Sequence, residues 1–158
     1  MKFQTKWRQF LTLFATILVL GACGGDDKEK SEEEVQLDKL RGTWNMTSVD
    51  NDGLARTDEY PDMKVTLAGT FSEGGTYSLS STASDWPSIS PWKKDDSWKF
   101  NSASVSTGIV RLSDAVDLSY SLGNNDSQLT IEFDYSGPGF NNGRVASVGG
   151  HWIFTFTK

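Results

Sequence analysis

The sequence predicts an all-β fold, an antiparallel up-and-down meander closing into a barrel, with a β-sandwich as the alternative. Three observations carry this reading. From Gly42 onward apolar residues recur at every second position, turn residues separate these runs at short spacing, and no amphipathic segment of helical length follows. Each strand has one apolar face, so the sheet must curl over itself or pair with a second sheet to bury that face.

Residues 1–22 come first in the chain and stand outside that fold. Lys2, Lys6 and Arg8 give a basic start, Phe10 to Leu20 an apolar stretch, and Leu20-Gly21-Ala22-Cys23 a site with two small residues before a cysteine. The apolar run is too short for a membrane span and acids follow it at once, not a basic stop-transfer patch. The segment resembles the lipobox of bacterial lipoproteins, which implies that the Cys23 thiol is acylated and that cleavage makes Cys23 the mature N-terminus. Residues 1–22 are therefore the expected lipoprotein signal peptide, 23–36 an acidic flexible tether and 37–158 the barrel domain.

The tether, with Gly24-Gly25 and then Asp26-Asp27-Lys28-Glu29-Lys30-Ser31-Glu32-Glu33-Glu34, has almost nothing to bury and a strong negative bias. Its acidic run resembles the export signal of surface lipoproteins in one group of Gram-negative bacteria. The expected location is the outer membrane, lipid-anchored and exposed on the cell surface, with a periplasm-facing orientation as the alternative. Ser31 and Glu34 have the spacing of a capping box for a short helical turn through Val35, Leu37 and Leu40.

The strands follow in order. Met63, Val65 and Leu67 alternate with polar neighbours, as do Tyr77 with Leu79, Trp98 with Phe100, and Val110 with Leu112. Val116, Leu118, Tyr120 and Leu122 lead into the turn Gly123-Asn124-Asn125-Asp126, after which Leu129, Ile131, Phe133 and Tyr135 alternate in the same way. The last strand puts Trp152, Phe154 and Phe156 on one face, with His151, Ile153, Thr155 and Thr157 on the other. Asp50-Asn51-Asp52-Gly53 and Gly149-Gly150 supply turn chemistry. The one long irregular stretch, Ser81 to Ser97, holds Trp86-Pro87 and Pro91-Trp92, and loops of that length are usually functional or mobile.

Composition narrows the function. The formal charge is −6, and removal of residues 1–22 takes away three bases and no acids, so the mature surface repels phosphate backbones and nucleic acid is not an expected partner. The membrane is engaged through acylated Cys23, not through a basic patch. With a single cysteine and a single histidine, His151, there is no disulfide framework and no cysteine or multi-histidine metal site, and a serine–histidine hydrolase would depend entirely on His151. No cofactor, metal or catalytic residue is expected.

Leu37-Asp38-Lys39-Leu40-Arg41-Gly42-Thr43-Trp44, a short turn followed by Gly-x-Trp at the head of the first strand, looks like the start of lipocalins and other calycins. Together with the aromatic last strand it is similar to the lipocalin-like domains of Gram-negative surface lipoproteins, a largely uncharacterised group. The resemblance implies that Gly42 and Trp44 form the structural motif, with Trp44 closing the bottom of the barrel, and that a ligand could bind inside. The chain departs from the pattern in three ways, the first being that strand residues stand where a C-terminal helix would be expected. Thr57-Asp58-Glu59-Tyr60 lies too early to match the usual second motif, and Arg144 is the only candidate for the late arginine that packs on the tryptophan.

Trp86 and Trp92, with Asp95 and Asp96, are the candidate ligand-binding residues. Exposed indole faces would stack on sugar rings while Asp85, Asp95 and Asp96 accept hydroxyl hydrogen bonds; alternatively the two rings fold back and plug the barrel mouth. Asp95-Asp96 and Asp114/Asp117 have the make-up of carboxylate pairs for glycoside cleavage but are more simply solvated turn residues. The expected function is a non-enzymatic outer-membrane lipoprotein whose barrel binds a small apolar ligand or a glycan. The alternative is an accessory subunit with a solid barrel core that contacts an envelope protein.

Overall fold

The computed structural model describes residues 29–70, 74–81, 90–139 and 148–158. Ser31 starts helix α1 (Glu32–Leu40) through the capping box expected from the sequence: its hydroxyl accepts from the Glu34 N–H, and the Glu34 carboxylate accepts from the Ser31 N–H at 2.8 Å. Among the described residues nine strands follow: β1 (Gly42–Asn51), β2 (Leu54–Ala55), β3 (Lys64–Thr70), β4 (Gly74–Ser80), β5 (Asp95–Phe100), β6 (Gly108–Arg111), β7 (Asp117–Gly123), β8 (Gln128–Tyr135) and β9 (Gly150–Thr157).

All neighbours are antiparallel and run in sequence order, and β1 pairs with both β3 and β9. That double pairing closes β1 and β3–β9 into an eight-stranded barrel, the closed form of the meander predicted from the sequence, with β2 as a hairpin extension of β1. The β1–β9 register shifts between Met46 and Ser48, a bulge that bends β1 so that its first half serves β3 and its second half β9. The β1–β2 turn is Asp52-Gly53, both at positive φ (52° and 81°), the backbone that a tight two-residue hairpin requires. Asp50 steadies it by accepting the Gly53 N–H at 2.7 Å.

Alternation fills the interior. Val65, Leu67, Leu129, Ile131, Phe154 and Phe156 are all at most 2 % exposed. The β9 rings stack along the strand, with Phe154 parallel to Phe156 at 6.3 Å and to Trp152 at 5.8 Å. Strand β6 corrects the sequence reading. Its inward residues are Ile109 and Arg111, whereas Val110 is half-buried and Leu112 is exposed. The expected apolar face is thus shifted by one residue, because a guanidinium takes an interior position that pattern alone would give to a hydrocarbon side chain.

One end of the barrel is sealed from below. α1 lays Leu37 and Leu40 into it, and Trp44, fully buried on β1, donates its indole N–H to the Leu40 carbonyl at 2.7 Å. The cation over the Trp44 ring is Lys158, with Nζ 4.3 Å from the ring centroid; it also donates to the Lys39 carbonyl at 2.7 Å. Arg144, the sequence candidate for that place, lies outside the described residues.

Trp44→Ala should therefore destabilise the domain by about 3–5 kcal/mol in urea melts, the usual cost of emptying a large buried aromatic site. Trp44→Phe should cost less, because it keeps most of the volume. A loss below about 1 kcal/mol for the alanine variant would show that the ring does not close the barrel.

Candidate functional site at the open end of the barrel

Strand direction sorts the connections onto two ends. α1 and the 101–107 and 124–127 connections share the sealed end. The opposite end collects the 50–63 connection, Ser90-Pro91-Trp92, the 112–116 turn and the segment after Tyr135. At this open end a loop residue, Trp92, enters the barrel. Its side chain is 1 % exposed, and its ring meets Tyr77, Phe133 and Phe154 edge to face at 5.3, 5.2 and 5.6 Å. Ser90 shapes the approach by accepting the Trp92 N–H and donating to the Trp92 carbonyl.

Arg111 holds this segment in place. Its guanidinium is fully buried, donates through Nη1 to the Pro91 carbonyl at 2.8 Å, and grips Asp114 with Nε and Nη2 at 2.9 and 2.7 Å. It also stands 5.8, 5.6 and 5.4 Å from the ring centroids of Trp92, Phe133 and Tyr135. The bidentate carboxylate neutralises a charge that would be costly to bury alone, and the rings add cation–π attraction. Partial burial opposes ionisation of Asp114. The hydrogen bonds and charge of Arg111, helped by the Val116 N–H and Lys93, outweigh it and hold its pKa below the ordinary carboxylate value. Burial pushes the Tyr77 phenol well up, with the nearby Arg111 charge opposing.

The candidate residues separate accordingly. Trp92 lies inside the barrel and offers no exposed face to a sugar ring. Asp96 points to the same end opposite Tyr77 and accepts from the Ser97 N–H and the Ser113 hydroxyl, whereas Asp95 is exposed at the head of β5. Asp114 and Asp117 do not form a carboxylate pair. The first is committed to Arg111, and the second accepts from Asn101 at 3.5 Å. Cys23, Asp85 and Trp86 lie outside the described residues. Tyr77 was read only as an apolar strand residue and Arg111 not at all; the one available signal for Arg111 was an aspartate three residues later across a tight turn.

His151 sits on the outer surface of β9, as alternation predicts. Its Nδ1 lies 2.9 Å from Asp134, its Nε2 4.0 Å from Glu132, and its backbone N–H donates to Asp52 at 2.9 Å. Both ring nitrogens thus face carboxylates, which is not the arrangement of a serine–histidine nucleophile. His151 and Asp134 line an open cleft of about 340 Å³ with Asp52, Tyr135, Ser136 and Gly150. Among the described residues no group of three or more metal-ligating side chains is placed to hold an ion.

These features define a class of protein, a closed eight-stranded antiparallel barrel with one end sealed by a helix and the other filled by a loop tryptophan and a buried arginine. No protein-family model matches the chain, and comparison with curated proteins finds no match.

Asp114→Asn should cost about 2–3 kcal/mol, below the range for a fully buried pair broken on one side because the Asp114 side chain is 24 % exposed. Adding Arg111→Met should recover part of that loss by removing the stranded charge. The pair also sets a pH dependence. Asp114 has a lower pKa folded than unfolded, so its contribution is present above about pH 4 and is lost as pH falls through the folded value. Melting temperature against pH should decline less steeply on the acid side for Asp114→Asn than for the wild type.

Proposed function

We propose that this chain is a non-enzymatic, lipid-anchored outer-membrane lipoprotein that works as an interaction module, presenting the open end of a filled barrel to another envelope protein. One observation carries the reading: α1, which takes up the last five residues of the segment expected as the tether (23–36), packs at the end opposite Trp92, Arg111 and the His151 cleft. An anchor at Cys23 would stand the barrel on its sealed end, leaving the open-end connections farthest from the membrane. Trp92 within the barrel supports action through the surface.

A second reading, a small apolar ligand held inside the barrel, draws on one buried polar atom. The Trp92 indole N–H makes no hydrogen bond among the described residues. In both readings the location is the outer membrane, with the open end toward the cell exterior or, alternatively, toward the periplasm.

Two measurements test the main reading. Cys23→Ala should abolish palmitate labelling and release the protein from the membrane fraction; retained label would exclude acylation at this residue. A photo-crosslinking phenylalanine in place of Leu54, 62 % exposed on the open-end hairpin, should give adducts in intact cells, while the same probe at exposed Asn125 on the sealed end should not. Adducts from Asn125 alone, or from neither position, would remove the interaction proposal.

A further inference from the structure

The described residues include four buried tryptophans, and one of them differs from the rest. Trp44 donates its indole N–H to Leu40, Trp98 to Thr76 and Trp152 to Val148, each to a backbone carbonyl between 2.7 and 3.2 Å away. The Trp92 N–H has no partner among the described residues. A buried donor left unpaired loses its hydration without replacement, so the seated position of Trp92 is less favourable than that of the other three. The other three rings are carried on strands, and moving any of them breaks the sheet ladder. Trp92 is carried on a connection, held by the Pro91–Arg111 bond, the Ser90 turn and the Leu79 N–H to Lys94 carbonyl bond at 2.7 Å.

We infer that Trp92 is a displaceable plug: an indole that closes the open end of the barrel in the resting state and withdraws as a unit with Ser90 and Pro91, with Arg111 and Asp114 as its latch. This goes beyond the proposed surface role and does not depend on the lipid anchor. Withdrawal would expose an interior faced by Tyr77, Phe133, Phe154 and Arg111, a place for a planar aromatic molecule carrying a hydrogen-bond acceptor. The latch is electrostatic. Once Asp114 no longer neutralises the guanidinium, Arg111 is drawn toward water and its bond to the Pro91 carbonyl is lost.

Hydrogen exchange of the indole N–H groups, followed by nitrogen-15 correlation spectra in heavy water, tests the idea on the intact domain. A plug opens without global unfolding, so the Trp92 N–H should exchange at least ~30-fold faster than those of Trp44 and Trp152. Asp114→Asn and, independently, Ser90→Ala should speed Trp92 further while leaving Trp44 unchanged relative to a stability-matched control substitution at the sealed end. In Trp92→Gly, added indole should raise the melting temperature by filling the vacated place. Equal exchange at Trp92, Trp44 and Trp152, or variants that accelerate all three alike, would overturn the proposal. So would a folded Trp92→Gly variant that ignores indole.

Discussion

Everything in this domain depends on β1 pairing on both sides. Because β1 bonds β3 along one edge and β9 along the other, the eight-stranded sheet has no open edge and every inward side chain faces the same enclosed cylinder. A cylinder of this strand number is just wide enough to be filled by side chains. Closure therefore creates two further demands: the interior must be packed, and its two mouths must be stopped without leaving polar backbone stranded.

Both mouths are stopped by the same chemistry, a tryptophan with a cation against its ring. At the sealed end Lys158 lies over Trp44; at the open end Arg111 lies beside Trp92. A cation on an aromatic face suits a barrel rim because it pairs charge with a large apolar surface where water is close. The two cations are not equivalent. Lys158 keeps contact with solvent and donates to a helix carbonyl, whereas Arg111 is wholly buried and must carry its own counter-ion, Asp114, on the adjoining turn. A wholly buried guanidinium held by a partly exposed carboxylate is what makes the open end chemically distinctive.

Much of this was legible from the chain. Period-two alternation in β7, β8 and β9 located the strands and their inward faces, since a one-residue slip would have turned three aromatic rings outward. The Ser31–Glu34 spacing located the helix start, and Gly42-x-Trp44 the sealed end. What stayed hidden arose from long-range partners. Arg111 reads as an outward residue until its carboxylate and three surrounding rings are known, and Lys158 is a plain terminal lysine until the barrel brings β9 beside β1. Trp92 was open to two readings, exposed platform or plug, because loop periodicity does not say which way a ring turns.

The inequality of the two ends has a mechanical consequence. Trp44 is carried on β1, so moving its backbone breaks the ladder on which the closure of the barrel rests. Trp92 carries no ladder bonds. Its seat is built from ring contacts, one carbonyl held by a buried guanidinium, a serine turn and the Leu79–Lys94 backbone bond, and these can be lost while β1 still pairs with β3 and β9. Closure thus leaves the plug inferred for Trp92 at one mouth of the barrel, the one opposite α1.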